Sequence, residues 1–264
     1  MLCKICGRPS SAWSKARILN KFTVQYFCCE QCGFIQTEEP YWLNESYADA
    51  IARNDIGMAS RNITLTGLTC AIILTFFDCN ARFIDYGGGY GLLVRLMRDR
   101  GMDFYRYDRY APNLFAQGFE ADKEGNHQYE LLTAFEVFEH LTNLMDEIRQ
   151  MLRFSRSILF STFLVPVPPP ALESWWYYSL DHGQHVALYT LQSLKVLAQK
   201  LNLNLYSNQH SIHLLTDKKL SQTAFRFISH GEVSRLANFI LRKRLAHWSL
   251  LPSDYIALTG KSIS

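Results

Sequence analysis

"RFIDYGGGYGLLVRL", residues 82–96, carries an apolar run straight into three consecutive glycines, a fourth two residues later, and then an amphipathic helical pattern. That order reads as strand, tight turn and helix. Glycines at such a turn let backbone approach a ligand closely. A dinucleotide-binding turn follows G-x-G-x-x-G, whose third glycine permits close packing of helix on strand. Counted from Gly87 that third position is Leu92, so the pattern fails there. What stands instead is D-x-G-x-G-x-G: Asp85, Gly87, Gly89 and Gly91, with Gly88 as an additional glycine. A plain glycine-rich turn is the alternative for any such loop.

The chain around this loop has 264 residues, 48% of them hydrophobic and 19% charged, enough for one full α/β domain with a small appendage. A formal net charge of +3 gives no reason to expect a polyanionic partner. Aromatic residues reach 14% and cluster in "SWWYYSL" (174–180), which hints at a lined pocket. The start "MLCKICG" lacks the basic and then apolar run of a secretory signal, so a cytoplasmic location is expected. "ITLTGLTCAIILTFF" (63–77) is too short for a membrane span and reads as a buried helix.

Upstream lie two matched knuckles, "CKICG" and "CEQCG", placing Cys3, Cys6, Cys29 and Cys32 as two C-x-x-C pairs 22 residues apart. Each is followed by a glycine that permits the turn aiming backbone N–H groups at sulfur. Four thiolates complete a tetrahedral shell, so a structural Zn2+ is expected. Cys28 offers a C-x3-C alternative to Cys29, and reduced, unliganded cysteines are the other reading; the matched knuckles favour Cys29. Cys70 and Cys79 have no partner at metal spacing and read as core residues. Basic residues in this module are scattered without interleaved aromatics, so no nucleic acid is expected.

Downstream, "MDFYRYDRYAP" (102–112) reads as a second strand ending at Asp108, an acid placed to accept hydrogen bonds from ribose hydroxyls. "YELLTAFEVFEHLTNLMDEIRQML" (129–152) reads as a strand, an acid-rich turn and a helix with Leu141, Leu144, Ile148 and Leu152 on one stripe. Glu136, Glu139 and His140 stand at i, i+3, i+4 and would share one face of a helix. The plainer reading has the acids stabilising a helix start and His140 bonding backbone. "SILFSTFLVPVPPP" (157–170) reads as a further buried strand, followed by "SWWYYSLDHGQH" and then a helix with Thr190 as N-cap.

The D-x-G-x-G-x-G loop, Asp108 and the E-V-F-E-H segment, in this order, resemble class I S-adenosylmethionine-dependent methyltransferases. The resemblance spans roughly residues 41–215. It implies a mostly parallel, Rossmann-like α/β sheet with helices on both faces, preceded by a small zinc ribbon. It implies that S-adenosyl-L-methionine is held by Asp85, Gly87, Gly88, Gly89, Gly91, Asp108, Phe135 and Glu136. Residues 41–63 read as an amphipathic helix, and in the resembling subgroup this segment lies over the cofactor, making Tyr47 a candidate contact; a packing helix is the alternative. In ubiquinone-pathway O-methyltransferases a similar E-x-x-E-H stretch is associated with a divalent metal.

The W-W-Y-Y and H-G-Q-H stretches resemble a subgroup found with glycan-assembly enzymes, implying a small-molecule or saccharide acceptor and methylation of a sugar hydroxyl. His185, then His140, then Tyr178 are the candidates to take the hydroxyl proton. Zinc-ribbon methyltransferases acting at sugar carbon share the cysteine knuckles but usually carry a further domain, for which this sequence is too short. A zinc-ribbon adaptor with a non-catalytic pocket and an NAD-dependent oxidoreductase are the rival classes. The expected domains are 1–38, the zinc ribbon; 39–220, the methyltransferase domain; and 221–264, a basic helical extension. "RLANFILRKRLAHWSLL" (235–251) in that extension reads as a basic amphipathic helix suited to a weak membrane-surface or protein contact, a solvated basic face being the commoner meaning.

Overall fold

The computed structural model describes residues 1–47, 56–122 and 129–262. Most of the middle of the expected 41–63 helix, residues 48–55, therefore lies outside the described residues. In chain order the elements are β1 (Ser10–Ile18), β2 (Phe22–Cys29), β3 (Ile35–Thr37), α1 (Leu43–Ser46), α2 (Met58–Phe76), β4 (Arg82–Tyr86), α3 (Leu92–Arg98), β5 (Asp103–Tyr107), β6 (Leu131–Ala134), α4 (Leu144–Phe154), β7 (Ser157–Ser161), β8 (Ala187–Leu188), α5 (Leu191–Lys200), β9 (Asn204–Ser207), β10 (Ile212–Thr216), α6 (Gln222–Ile228), α7 (Gly231–Leu241) and α8 (Leu251–Thr259).

Six strands form one sheet in the order β5-β4-β6-β7-β10-β9, flanked by helices. β4 runs parallel to both neighbours, with Asp85 opposite Arg106 on β5 and Thr133 on β6, while β9 and β10 are antiparallel. The fold is therefore the expected parallel-rich α/β class. The buried runs "RFIDY" and "SILFS" suit strands covered on both faces. The chain passes from β4 outward to β5 and then to β6 on β4's other side, which makes a topological switch point at β4 and β6.

Contacts divide the chain into two compact units. The first comprises Met1–Asp55, Glu136–Gln150 and Phe160–Asp217; the second comprises Ile56–Phe135, Met151–Leu159 and Lys218–Ser264. In the first unit a small antiparallel sheet runs β1-β2-β3-β8. Residues 187–188 thus complete a sheet begun at the N-terminus. Its core gathers Ile18, Tyr26, Ile35, Trp42, Tyr177 and Tyr178. α5 starts on a capping box, with Thr190 Oγ1 accepting from the Ser193 N–H and Ser193 Oγ from the Thr190 N–H.

In the second unit α2 packs on α3 and α7. The helix begins five residues before the expected buried stretch and reaches 19 residues, long and apolar enough in composition to cross a membrane. Within the unit, though, residues 68–74 are buried as core. α8 is fixed by Asp254, 3% exposed, which accepts from Arg98 Nε and Nη2 at 2.9 and 2.7 Å and pairs with Arg95. α4 begins at Leu144, so Leu141 falls outside it; its buried stripe is Leu144, Ile148 and Met151 rather than the expected set.

Candidate functional site

The glycine loop occupies the switch point of the second unit, where open α/β sheets bind ligands beyond their strand ends. Asp85, the fourth residue of β4, is 4% exposed, and its Oδ1 accepts from Thr133 Oγ1 of β6 at 2.7 Å. Burial pushes its carboxyl up to about 7, with the Thr133 hydrogen bond opposing that rise. After Tyr86 the backbone turns through Gly87 and Gly89, both with positive φ, and Gly91 forms the N-cap of α3 at φ +86°. A Cβ on Gly91 would stand 2.7 Å from Asn113 Oδ1 and 3.0 Å from Ala116 Cβ, so glycine is required there by conformation and by space. A Cβ on Gly89 would meet nothing within 4 Å. The apex of the loop is therefore open.

Asp108 follows β5 directly. Its Oδ2 accepts from the Gly89 N–H at 2.9 Å, and its Oδ1 from the N–H groups of Tyr110 and Ala111. Arg106, 5% exposed, donates Nε to the Gly89 carbonyl at 2.6 Å and lies 3.8 Å from the Asp108 carboxylate. The sequence reading missed Arg106. It ties the loop to β5, and only its inward strand parity marked it. Phe135, at the end of β6, is half-buried.

The remaining candidates lie in the first unit. Glu136 is not on a helix: it sits at φ +54°, uncommon for a side-chain-bearing residue, with its N–H donating to Ser161 Oγ and Ser161 Oγ donating back to Glu136 Oε1, each at 2.8 Å. Phe138–His140 form a single 3-10 turn, so Glu136, Glu139 and His140 do not share a helical face as the spacing suggested. Nor do the acids open α4. The structure instead groups Glu139, His140 and His185, with one ligand atom of each within 4.8 Å of the others. A carboxylate and two imidazoles are a donor set a divalent ion accepts.

His140 Nδ1 lies 3.1 Å from the Gln184 carbonyl and 3.1 Å from the Tyr47 hydroxyl, which matches the backbone-bonding alternative for His140. His185 Nδ1 lies 2.7 Å from the Tyr177 carbonyl. A carbonyl only accepts, so in each ring Nδ1 carries the proton and Nε2 keeps its lone pair. Burial pulls His185 down to about 4 and His140 to about 3. Both are neutral at pH 7, and their rings meet edge-on at 5.0 Å.

Tyr178 is placed differently from expectation. It is fully buried, packs on Trp13, Tyr26 and Trp175, and donates its hydroxyl to the Pro170 carbonyl at 2.9 Å. That is a core residue, not a proton acceptor. Its neighbour Tyr177, read from the sequence only as one of the aromatics that could stack on a ligand or plug the sheet, donates to Glu139 Oε1 at 2.9 Å and lies 3.2 Å from the Thr162 hydroxyl.

Cys3, Cys6, Cys29 and Cys32 converge, with Cys3 Sγ 3.6 Å from Cys32 Sγ and Cys6 Sγ 3.3 Å from Cys29 Sγ. Four sulfurs at Zn–S bond length on a tetrahedron stand about 3.8 Å apart, so the spacing is close to that of a filled shell. The knuckles repeat one another: Gly7 N–H donates to the Cys3 carbonyl and Gly33 N–H to the Cys29 carbonyl, with positive φ at both glycines. Cys28 is not in the cluster.

A family model described as a methyltransferase domain matches residues 62–208, more than half of the chain. No curated protein sequence matches it. Similar solved structures include human N-acetylserotonin methyltransferase in complex with SAM, 13% identical, TM-score 0.42, covering 59% of this chain and 52% of that one. CalO1, a methyltransferase in calicheamicin biosynthesis in its SAH-bound form, is 16% identical at TM-score 0.44, covering 66% and 61%. The mitomycin 7-O-methyltransferase MmcR is 15% identical at TM-score 0.46, covering 66% and 59%. The chain thus spans between half and two thirds of the length of these three structures.

Proposed function

The chain belongs to the methyltransferase-domain family, and from that premise we propose that it transfers a methyl group from S-adenosylmethionine to a hydroxyl of a small-molecule or saccharide acceptor. The observation that carries this reading is the open glycine loop at the switch point, flanked by one buried acid and one acid at the next strand end.

The residues present fit the cofactor. The bare apex at Gly89 leaves room for it, and no phosphate nest is needed because the cofactor has no phosphate. Asp85 supplies negative charge for a cationic amine, held in place by Thr133. Asp108 already binds a backbone N–H, so it can exchange part of that bonding for ribose hydroxyls. When bound, S-adenosylmethionine supplies a methyl group made electrophilic by its positive sulfonium. The protein then has to align the acceptor and take its proton. His185 is the residue we assign to that proton: its Nδ1–H is tied to the Tyr177 carbonyl and its Nε2 is unprotonated at pH 7. The H-G-Q-H stretch like that of glycan-associated enzymes favours a saccharide hydroxyl.

We assign the cysteine cluster a structural zinc, supported by the near-tetrahedral sulfur spacing. We also propose a cytoplasmic location, on the sequence argument that two C-x-x-C knuckles suit a metal before disulfides. Native mass spectrometry tests both modules together. One zinc and saturable S-adenosylhomocysteine are expected; binding of NADH alone would overturn the cofactor, and a zinc-free protein of unchanged mass would overturn the ribbon.

A further inference from the structure

Charge is unevenly distributed along the chain. Residues 218–264 hold eight lysines and arginines against two carboxylates, whereas residues 1–217 hold 19 against 22. Of the two carboxylates, Asp254 is buried and already paired with Arg95 and Arg98. Lys218 is paired with Glu130, and the expected extension, residues 221–264, is left with six cations against one exposed carboxylate, Glu232.

The same segment leaves large apolar side chains in solvent. α7 turns Ser234 and Asn238 inward, with Asn238 Nδ2 donating to the Gly67 carbonyl of α2 at 2.8 Å. Its opposite face exposes Leu236, Phe239 and Ile240, with Phe239 86% exposed. Trp248 is 70% exposed beneath the Arg242 guanidinium at 4.6 Å, and α8 exposes Ile256 and Leu258. α7 also carries exposed Glu232 and Arg235, and exposed Lys243 and Arg244 follow it. Large apolar side chains and a net excess of cations thus share this segment, unlike the purely solvated basic face that composition alone suggested.

We propose that this C-terminal helical layer docks on an anionic phospholipid surface, its aromatic and aliphatic side chains entering the headgroup boundary and its cations meeting lipid phosphates. The charge argues for this occupant. A second copy of the chain would bring two strongly positive faces together, whereas an anionic bilayer complements both the cations and the apolar side chains. Arg235 and Lys243 are exposed and have no carboxylate partner among the described residues.

The test is co-sedimentation of the full chain with vesicles of phosphatidylcholine, with or without 30% phosphatidylglycerol, at about 0.1 M and 0.5 M salt. Binding to the anionic vesicles that weakens at high salt is expected. The pair Arg235→Gln and Lys243→Gln should lower partitioning about tenfold, as should Phe239→Ser with Trp248→Ser, while S-adenosylhomocysteine binding stays unchanged as the control for folding. Equal partitioning to neutral vesicles, no partitioning at all, or a salt-stable dimer broken by Phe239→Ser would each overturn the proposal.

Discussion

Thr133 Oγ1 donates to Asp85 Oδ1 at 2.7 Å, reaching from β6 to β4 across the pair of strands at the switch point. The bond is buried, and it holds a carboxyl whose burial raises it to about 7 from an ordinary value of 3.8. In the folded protein this group keeps its proton where the unfolded chain has lost it. Its contribution to stability is therefore greatest below pH 3.8 and disappears as pH rises through about 7.

A cationic cofactor amine favours the ionised acid, which reverses the direction for binding. Affinity for S-adenosylhomocysteine should rise as pH goes from about 6 through about 7 and then level off, with proton release on binding near the lower end. Asp85→Asn should flatten the profile and weaken binding about tenfold or more. Calorimetry in two buffers of different ionisation heat reads both quantities; a flat profile in the native protein would remove Asp85 from the amine.

Gly89 and Gly91 separate room for a ligand from room for the fold. Gly91→Ala forces a left-handed backbone at a cost of about 1–2 kcal/mol and pushes Cβ into Asn113 and Ala116, adding about 1–3 kcal/mol. It should lower the melting temperature clearly. Gly89→Ala carries only the conformational cost, because its Cβ enters open space. Its main effect should be weaker cofactor binding. Equal thermal shifts with unchanged affinity for both variants would show that the apex does not face a ligand.

Much of this site was legible in the sequence because covalent spacing dictates it. D-x-G-x-G-x-G follows a strand, and the two C-x-x-C knuckles close their own turns. What failed was whatever depends on handedness one residue at a time. Glu136, Glu139 and His140 suit a helix, yet the backbone takes positive φ at Glu136 and a 3-10 turn after it. His185, far along the chain, then joins Glu139 and His140 through contacts no local period encodes. Tyr177 and Tyr178 lie in another 3-10 turn, where a step of one residue swings the side chain by about a third of a revolution. That rotation decides which tyrosine meets Glu139 and which fills the core.

One fully buried histidine and two half-buried ones set the acid limit. His213, wholly buried between Ser207 Oγ at 2.9 Å and the Thr162 carbonyl at 3.0 Å, is held down to about 4, as His185 is, with His140 lower still. All three stay neutral where the unfolded chain binds protons. Stability should therefore fall as pH drops from 6.5 towards 4, with His213 alone contributing about 3 kcal/mol. Ring signals in NMR spectra should stay unshifted between about pH 5.5 and 8. Titration of His185 near its ordinary 6.5 would contradict its assignment as a neutral proton acceptor.

The cysteine cluster reaches beyond its own knuckles, which makes its loss measurable elsewhere. Thr190 Oγ1 donates to the Cys32 carbonyl at 2.7 Å while accepting the Ser193 N–H that starts α5. One hydroxyl thus joins the second knuckle to a helix 158 residues away in sequence. Without an ion the clustered cysteines take up protons and no metal–sulfur bond holds them together, so removing the proposed zinc should open the knuckle, free Thr190 and fray the first turn of α5. Chelation or Cys32→Ser should then lower the melting temperature and speed amide exchange at residues 191–194. Cys28→Ser should change neither quantity nor the zinc content. A chelator that strips the metal without moving the melting temperature, or a Cys28→Ser variant that loses zinc, would show that the ligand set or its structural role is wrong.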